Sequence, residues 1–259
     1  MSAFIHPTAI VNQGAKIGAD CHIGAFSTVG NEVELGNRVH LESHVVVDGK
    51  TSIGDETRIY PFVSIGLAPQ DLKYNGEPTA TEIGKRNHIR EFVTVHRGTV
   101  GGGGLTRIGD DNLLMAQAHV AHDCQIGNEV IMANAATLAG HVEIADRANI
   151  GAYSGVHQFC RIGLEAFVGG YSVIVKDALP FAISQGNHAK CYGLNRLGLK
   201  RRGYPKETIE KLHRAYHLLL SAKLNTTQAI EKIKEEIKDC AEVDLLIEFI
   251  ETSKRGVVK

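Results

Sequence analysis

From Ile108 an aliphatic side chain recurs at every sixth residue, through Leu114, Val120, Ile126, Met132, Leu138, Ile144, Ile150, Val156, Ile162 and Val168 to Ile174. The same beat runs from Ile5 and Val11 to Ile59 and Ile65, and returns in phase at Ile83, Ile89 and Val95. Four places after most of these comes a small or medium residue, such as Cys21, Val33, Ala118 or Cys124, and glycine often follows directly, as at Gly18, Gly54 and Gly127. An α-helix needs a 3.6-residue period and does not tolerate so many glycines. Six-residue units bury no apolar face alone, so they must stack, and three of them closing a triangular coil put every aliphatic residue inside. The pattern predicts a parallel β-helix. Its 26 hexads at three to a coil give about nine coils, ~40 Å tall at the spacing of parallel strands.

Two interruptions and one ending divide the chain. Residues 69–82 skip two hexads yet keep phase, which predicts a loop extruded from otherwise intact coils. Residues 97–107 shift the phase by one and contain Gly101-Gly102-Gly103-Gly104. No Gly-Lys-Ser/Thr follows, so the spacing predicts a flexible excursion rather than a phosphate loop. After Ile174 the beat stops at Leu179-Pro180. Pro205 near a helix start, then Ile209, Leu212, Tyr216, Leu219 and Leu220, predict one helix; Thr227 with Ile230, Ile233 and Ile237 a second; Val243 to Ile250 a third. The expected organisation is a repeat prism over residues 1–189 and a small helical domain over 190–259, able to cap the open end of the prism.

Composition narrows the function. The charges nearly cancel, 28 basic against 29 acidic, so no whole-molecule field argues for nucleic acid. Cys21, Cys124, Cys160, Cys191 and Cys240 form no CxxC pair and read as small core fillers in a reducing compartment. There is no basic-then-apolar leader and no run of eighteen apolar residues. The expected location is therefore the cytoplasm, with no integral membrane segment.

The polar exception to the aliphatic beat is Ala118-His119-Val120-Ala121-His122-Asp123-Cys124. A coil of 18 residues converts offsets into neighbours: His122 lies below Gly140, Asp123 below His141, and His157 and Gln158 follow one coil on. One histidine on such a wall is usually structural; three consecutive coils carrying one point to chemistry. Neutral histidine suits removal of a proton from an alcohol near pH 7. A glycine beside it lets a backbone N–H approach an oxyanion closely.

The [LIV]-G-x-x-[STAVC]-x repeats resemble the hexapeptide-repeat acyltransferases, which implies a left-handed, trimeric prism. The resemblance narrows at Gln70-Asp71-Leu72-Lys73-Tyr74, His96-Arg97-Gly98-Thr99, His119 to Cys124, Gly186-Asn187-His188 and Gly198-Leu199-Lys200-Arg201-Arg202-Gly203. Five motifs in order over nearly the whole chain are similar to the UDP-N-acetylglucosamine 3-O-acyltransferases, which begin lipid A synthesis. Implied are transfer of a (3R)-3-hydroxyacyl group from acyl carrier protein to the sugar 3-hydroxyl, a homotrimer, and no metal or other cofactor.

Site roles carry over by position. The resemblance makes His122 the general base and Gly140 the oxyanion contact, and Asp123, His119 and His141 are expected to orient substrate or base. It gives Asp71 and Lys73 to the sugar and phosphate region with His96, His157 and Gln158 nearby, and Asn195, Arg201 and Arg202 to the nucleotide. Gly170 takes the end-stop position of the acyl groove, with His188 next along it. Leu197 departs from an acid common two residues after the asparagine.

Rival readings remain. A zinc carbonic anhydrase of the same prism spaces its close ligands more widely than His119-x-x-His122. The sister N-acyltransferase carries a domain before its prism, whereas these repeats begin at Ile5. A non-catalytic β-helix scaffold explains the beat but not the histidine column. His213 and His217, four apart, could clamp a metal, but an exposed helix face is the simpler expectation.

Overall fold

The computed structural model describes residues 2–220 and 223–259. Its strands, mostly two residues long, form three parallel sheets of 11, nine and eight strands, apart from one antiparallel hairpin at the end. The chain visits the sheets in rotation and winds as a left-handed β-helix. The register is the one the beat predicts: Ile5 pairs with Ile23, Leu114 with Met132, Val120 with Leu138 and Ile126 with Ile144. Every beat residue from Ile23 onward is buried, forming one continuous core. Full burial of one such side chain stabilises by about 1.5–3 kcal/mol.

Two residues cannot twist far, so the chain turns at corners, and most corners use a residue in the left-handed region. Three such edges run up the prism. Glu129, Arg147 and Glu165 (φ 54, 58 and 56°) form the first, and Ala135, Tyr153 and Tyr171 (56, 56 and 55°) the second. Asp123, His141 and Phe159 (61, 62 and 63°) form the third. The 11-stranded sheet lies between the first and second edges, the nine-stranded between second and third, and the eight-stranded between third and first.

The interruptions appear as jumps in register. Ile59 pairs with Ile89 rather than with a residue 18 further on, and Ile89 with Leu114. Both excursions are shorter than the hydrophobic gaps suggest, because Ala80–Ile83 and Leu105–Ile108 are already strands of the eight-stranded sheet. Alternation of Thr81 with Ile83 and Thr106 with Ile108 puts buried threonines on the inward face.

Ala182–Gln185 adds to the 11-stranded sheet and turns antiparallel into Lys190–Leu194. Helices α1 (Arg196–Arg201), α2 (Lys206–Leu220), α3 (Thr226–Glu236) and α4 (Ala241–Glu251) follow. Asn225 opens α3 with a capping box closed by Gln228. Leu212, Tyr216, Leu219, Ile233, Leu246 and Phe181 share a second core, which takes over from the prism core between Ala178 and Leu179. Helix α1 is absent from the sequence reading: six residues give too few turns for periodicity to show.

Candidate active site

The third edge gathers the polar exception into one place. Asp123 sits at the corner itself, its side chain fully covered, and His122 beside it is 17 % exposed. The His122 Nδ1 lies 2.8 Å from Asp123 Oδ2. A carboxylate only accepts, so the ring's proton sits on Nδ1 and the Nε2 lone pair is left free. One coil on, the His141 backbone N–H donates to the His122 carbonyl at 3.0 Å. The His141 ring meets His122 edge-on at 5.0 Å and stacks on Phe159 at 4.4 Å.

Gly140 lies against the His122 ring. A methyl there would sit 2.5 Å from Cε1 and 2.7 Å from Nε2. The turn leaves the N–H just before each corner residue out of the ladder, as at Ala116 and Asn134, and Gly140 occupies that place. Its N–H therefore has no protein acceptor among the described residues and stands beside the imidazole.

The surrounding histidines are held neutral. His96 is 7 % exposed, and burial, reinforced by His119 and His122, depresses its pKa to about 4. Burial also lowers His119, whose Nδ1 is 2.6 Å from Thr94 Oγ1. For His141, burial outweighs the raising effect of Asp123. Neutral neighbours spare His122 from a cluster of positive charge, and the buried Nδ1 of His96 has no hydrogen-bond partner among the described residues.

Other predicted residues fall into two groups. Asp71 and Lys73 join His141 and Phe159 around a cleft of about 280 Å³, with Tyr74, Glu77, Thr99, Val100 and Gly101 forming the rest of its wall. His157 and Gln158 are exposed one coil above Gly140, the His157 ring 3.1 Å from the Gln158 carbonyl. The rest lie elsewhere on this chain. Asn195 caps α1, accepting from the Gly198 N–H at 3.0 Å. Arg202 ends that helix and pairs with Glu129 at 3.0 Å and Glu165 at 3.4 Å, on the first edge. Arg201 and Leu197 are exposed on α1. Gly170 precedes Tyr171 on the second edge, and His188 is exposed in the hairpin turn beyond Gln185.

The expected flexible excursion is instead pinned to the acid. Thr99 donates its backbone N–H to Asp123 Oδ1 at 2.8 Å and its hydroxyl to Oδ2 at 2.6 Å. Thr106, where the excursion rejoins the prism, accepts the Asp123 backbone N–H at 2.8 Å. Counting in 18s misses both residues, because the excursion breaks the count at this coil. His122, Asp123 and His141 are close enough to hold a metal ion. The Asp123 oxygens already receive three hydrogen bonds, from the Thr99 N–H and hydroxyl and from His122.

No described helix is long and apolar enough to cross a membrane. Residues 177–258 match the family described as UDP N-acetylglucosamine O-acyltransferase, domain 2, and residues 105–140 match the bacterial transferase hexapeptide repeats. The UDP-N-acetylglucosamine acyltransferase of Bacteroides fragilis is 38 % identical, with a TM-score of 0.97 over 99 % of this chain and 100 % of that one. The Moraxella catarrhalis UDP-N-acetylglucosamine O-acyltransferase is 45 % identical, with a TM-score of 0.94 over 98 % and 99 %. That of Francisella novicida is 37 % identical, with a TM-score of 0.95 over 98 % and 94 %. The chain matches these enzymes over nearly their whole length and belongs to the UDP-N-acetylglucosamine O-acyltransferase family.

Proposed function

We propose that this protein transfers a (3R)-3-hydroxyacyl group from acyl carrier protein to the 3-hydroxyl of UDP-N-acetylglucosamine, the first step of lipid A synthesis. The observation that carries the reading is the His122 imidazole, held between the Asp123 carboxylate and the bare backbone of Gly140. Nε2 takes the proton of the 3-hydroxyl as its oxygen attacks the thioester carbonyl. Asp123 fixes the tautomer and stabilises the imidazolium that forms. The Gly140 N–H meets the oxyanion of the tetrahedral intermediate. As that intermediate collapses, the imidazolium returns its proton to the departing thiolate of the carrier.

The remaining contacts are read as shared between copies. His122 is on the third edge, Gly170 on the second and Arg202 on the first. One chain holds these groups on separate edges, whereas neighbouring prisms in a homotrimer set different edges side by side. The base, the acyl end stop and the nucleotide arginines then serve one cleft. In this reading Asp71 and Lys73 hold the sugar and phosphate region, and the helical segment 190–259 receives the carrier protein. Five free cysteines accord with a cytoplasmic setting.

The test is direct transfer. Purified protein incubated with UDP-N-acetylglucosamine and 3-hydroxyacyl carrier protein is expected to give a single ester at the sugar 3-position, located by mass spectrometry and NMR. An acceptor lacking the 3-hydroxyl is expected to give none. No ester from the complete mixture, or an acylated 3-deoxy acceptor, would contradict the assignment.

A further inference from the structure

We propose that Thr99 is a positioning residue of this site: its N–H and O–H lock the Asp123 carboxylate so that one lone pair faces His122. The inference rests on His122 being the base. Asp123 occupies a left-handed corner with φ 61°, and nothing in that backbone sets the rotation of its carboxylate. Three donors set it. Thr99 N–H holds Oδ1 at 2.8 Å, and Thr99 O–H and His122 Nδ1 share Oδ2 at 2.6 and 2.8 Å. A carboxylate held from both ends keeps the imidazole in one tautomer and one plane, which a solvated acid would not do.

The glycines of the excursion make this approach possible. A methyl on Gly102 would lie 2.1 Å from Asp123 Cγ and 2.2 Å from Oδ2, and one on Gly98 would lie 2.8 Å from Oδ1. Gly101, one residue away, has nothing within 4 Å of such a methyl. The glycine-rich stretch is therefore a clamp folded over the acid. Gly98 and Gly102 are glycines for clearance, a requirement that Gly101 does not share. The clamp also removes water from Asp123, which strengthens its bond to the ring.

The effect has a sign. The threonine hydroxyl draws charge from Oδ2 that would otherwise favour the imidazolium, so its removal raises the proton affinity of His122. Thr99→Val is near-isosteric and keeps the backbone N–H. It is expected to lower kcat at least tenfold and to move the acid limb of the kcat/KM profile to higher pH. Thr99→Ser is expected to restore both, and Gly102→Ala to reproduce the loss and the shift, whereas Gly101→Ala leaves the limb where the wild type has it.

The deciding experiment records pH profiles for the wild type and these four variants, with His122→Ala alongside and melting temperatures for each. A Thr99→Val enzyme with wild-type kcat and an unmoved limb overturns the proposal. So does an equal loss in Thr99→Val and Thr99→Ser that tracks a fall in melting temperature. If His122→Ala keeps activity within tenfold while Thr99→Val still moves the limb, the base assignment fails and the link from Thr99 to Asp123 stands.

Discussion

The His122 imidazole rests on the backbone of Gly140, one coil away, so closely that a Cβ on Gly140 would fall 2.5 Å from the ring. In the proposed mechanism this contact joins two functions: the base is seated on the same residue whose N–H is offered to the oxyanion. Gly140→Ala must push the ring off its line to Asp123. It is expected to lower kcat by ~100-fold or more, the scale of losing one oxyanion donor, with the assembled state unchanged by sedimentation. A Gly140→Ala enzyme within threefold of wild type would remove this contact from the mechanism.

The prism was legible because each hexad repeats one physical requirement, an aliphatic residue pointing inward, and the register of Val120 on Leu138 follows from counting alone. That counting also placed Gly140 over His122 and His141 over Asp123. Handedness was not legible. The general preference for right-handed crossovers depends on twisted strands feeding helices; two-residue strands turning at left-handed corners escape that constraint. Thr99 was hidden for a related reason. Its offset of 24 from Asp123 is no multiple of the 18-residue coil, so only the folded excursion reveals it. Asn195 also caps helix α1, accepting from the Gly198 N–H, a role beside the nucleotide contact that the resemblance implies.

Stability should depend on pH through His96. Its folded pKa is about 4, against ~6.5 in an unfolded chain. Between these values the unfolded chain binds a proton that the folded chain refuses. The stabilisation is therefore complete above pH ~6.5 and is lost as pH falls toward 4, by up to about 3 kcal/mol. His119 and His141, also depressed by burial, act in the same direction. Urea midpoints of the wild type are expected to drop between pH 7.5 and 5, and those of His96→Asn to drop less. Equal slopes would show that His96 does not control the transition.

A site assembled from different edges predicts complementation. His122→Ala and Arg202→Ala chains, each inactive alone, are expected to regain part of wild-type activity when unfolded together and refolded as mixed trimers. Mixed trimers that remain inactive would place the whole site within one chain.

The acyl end stop proposed at Gly170 can be tested by substitution. A methyl there would meet the Ala152 carbonyl at 3.3 Å, a tight contact that a shift of a few tenths of an ångström relieves. Gly170→Met is expected to shift the preferred donor to a shorter chain. Each buried methylene contributes ~0.8 kcal/mol, so two carbons should change relative kcat/KM roughly tenfold. Competition between carrier-bound donors of different length reads this directly; an unchanged preference would move the end of the groove elsewhere, with His188 the next candidate.

The central claim is that His122 removes the proton of the sugar hydroxyl. Single-turnover transfer from 3-hydroxyacyl carrier protein to UDP-N-acetylglucosamine measures that step apart from product release. His122→Ala is expected to slow it by ~100-fold or more, the low end of what a positioned general base supplies, in a protein that melts as the wild type does. His6→Ala, on the first coil where the His6 ring bonds Thr8, is expected to stay within twofold. A His122→Ala rate within tenfold of wild type would contradict the account.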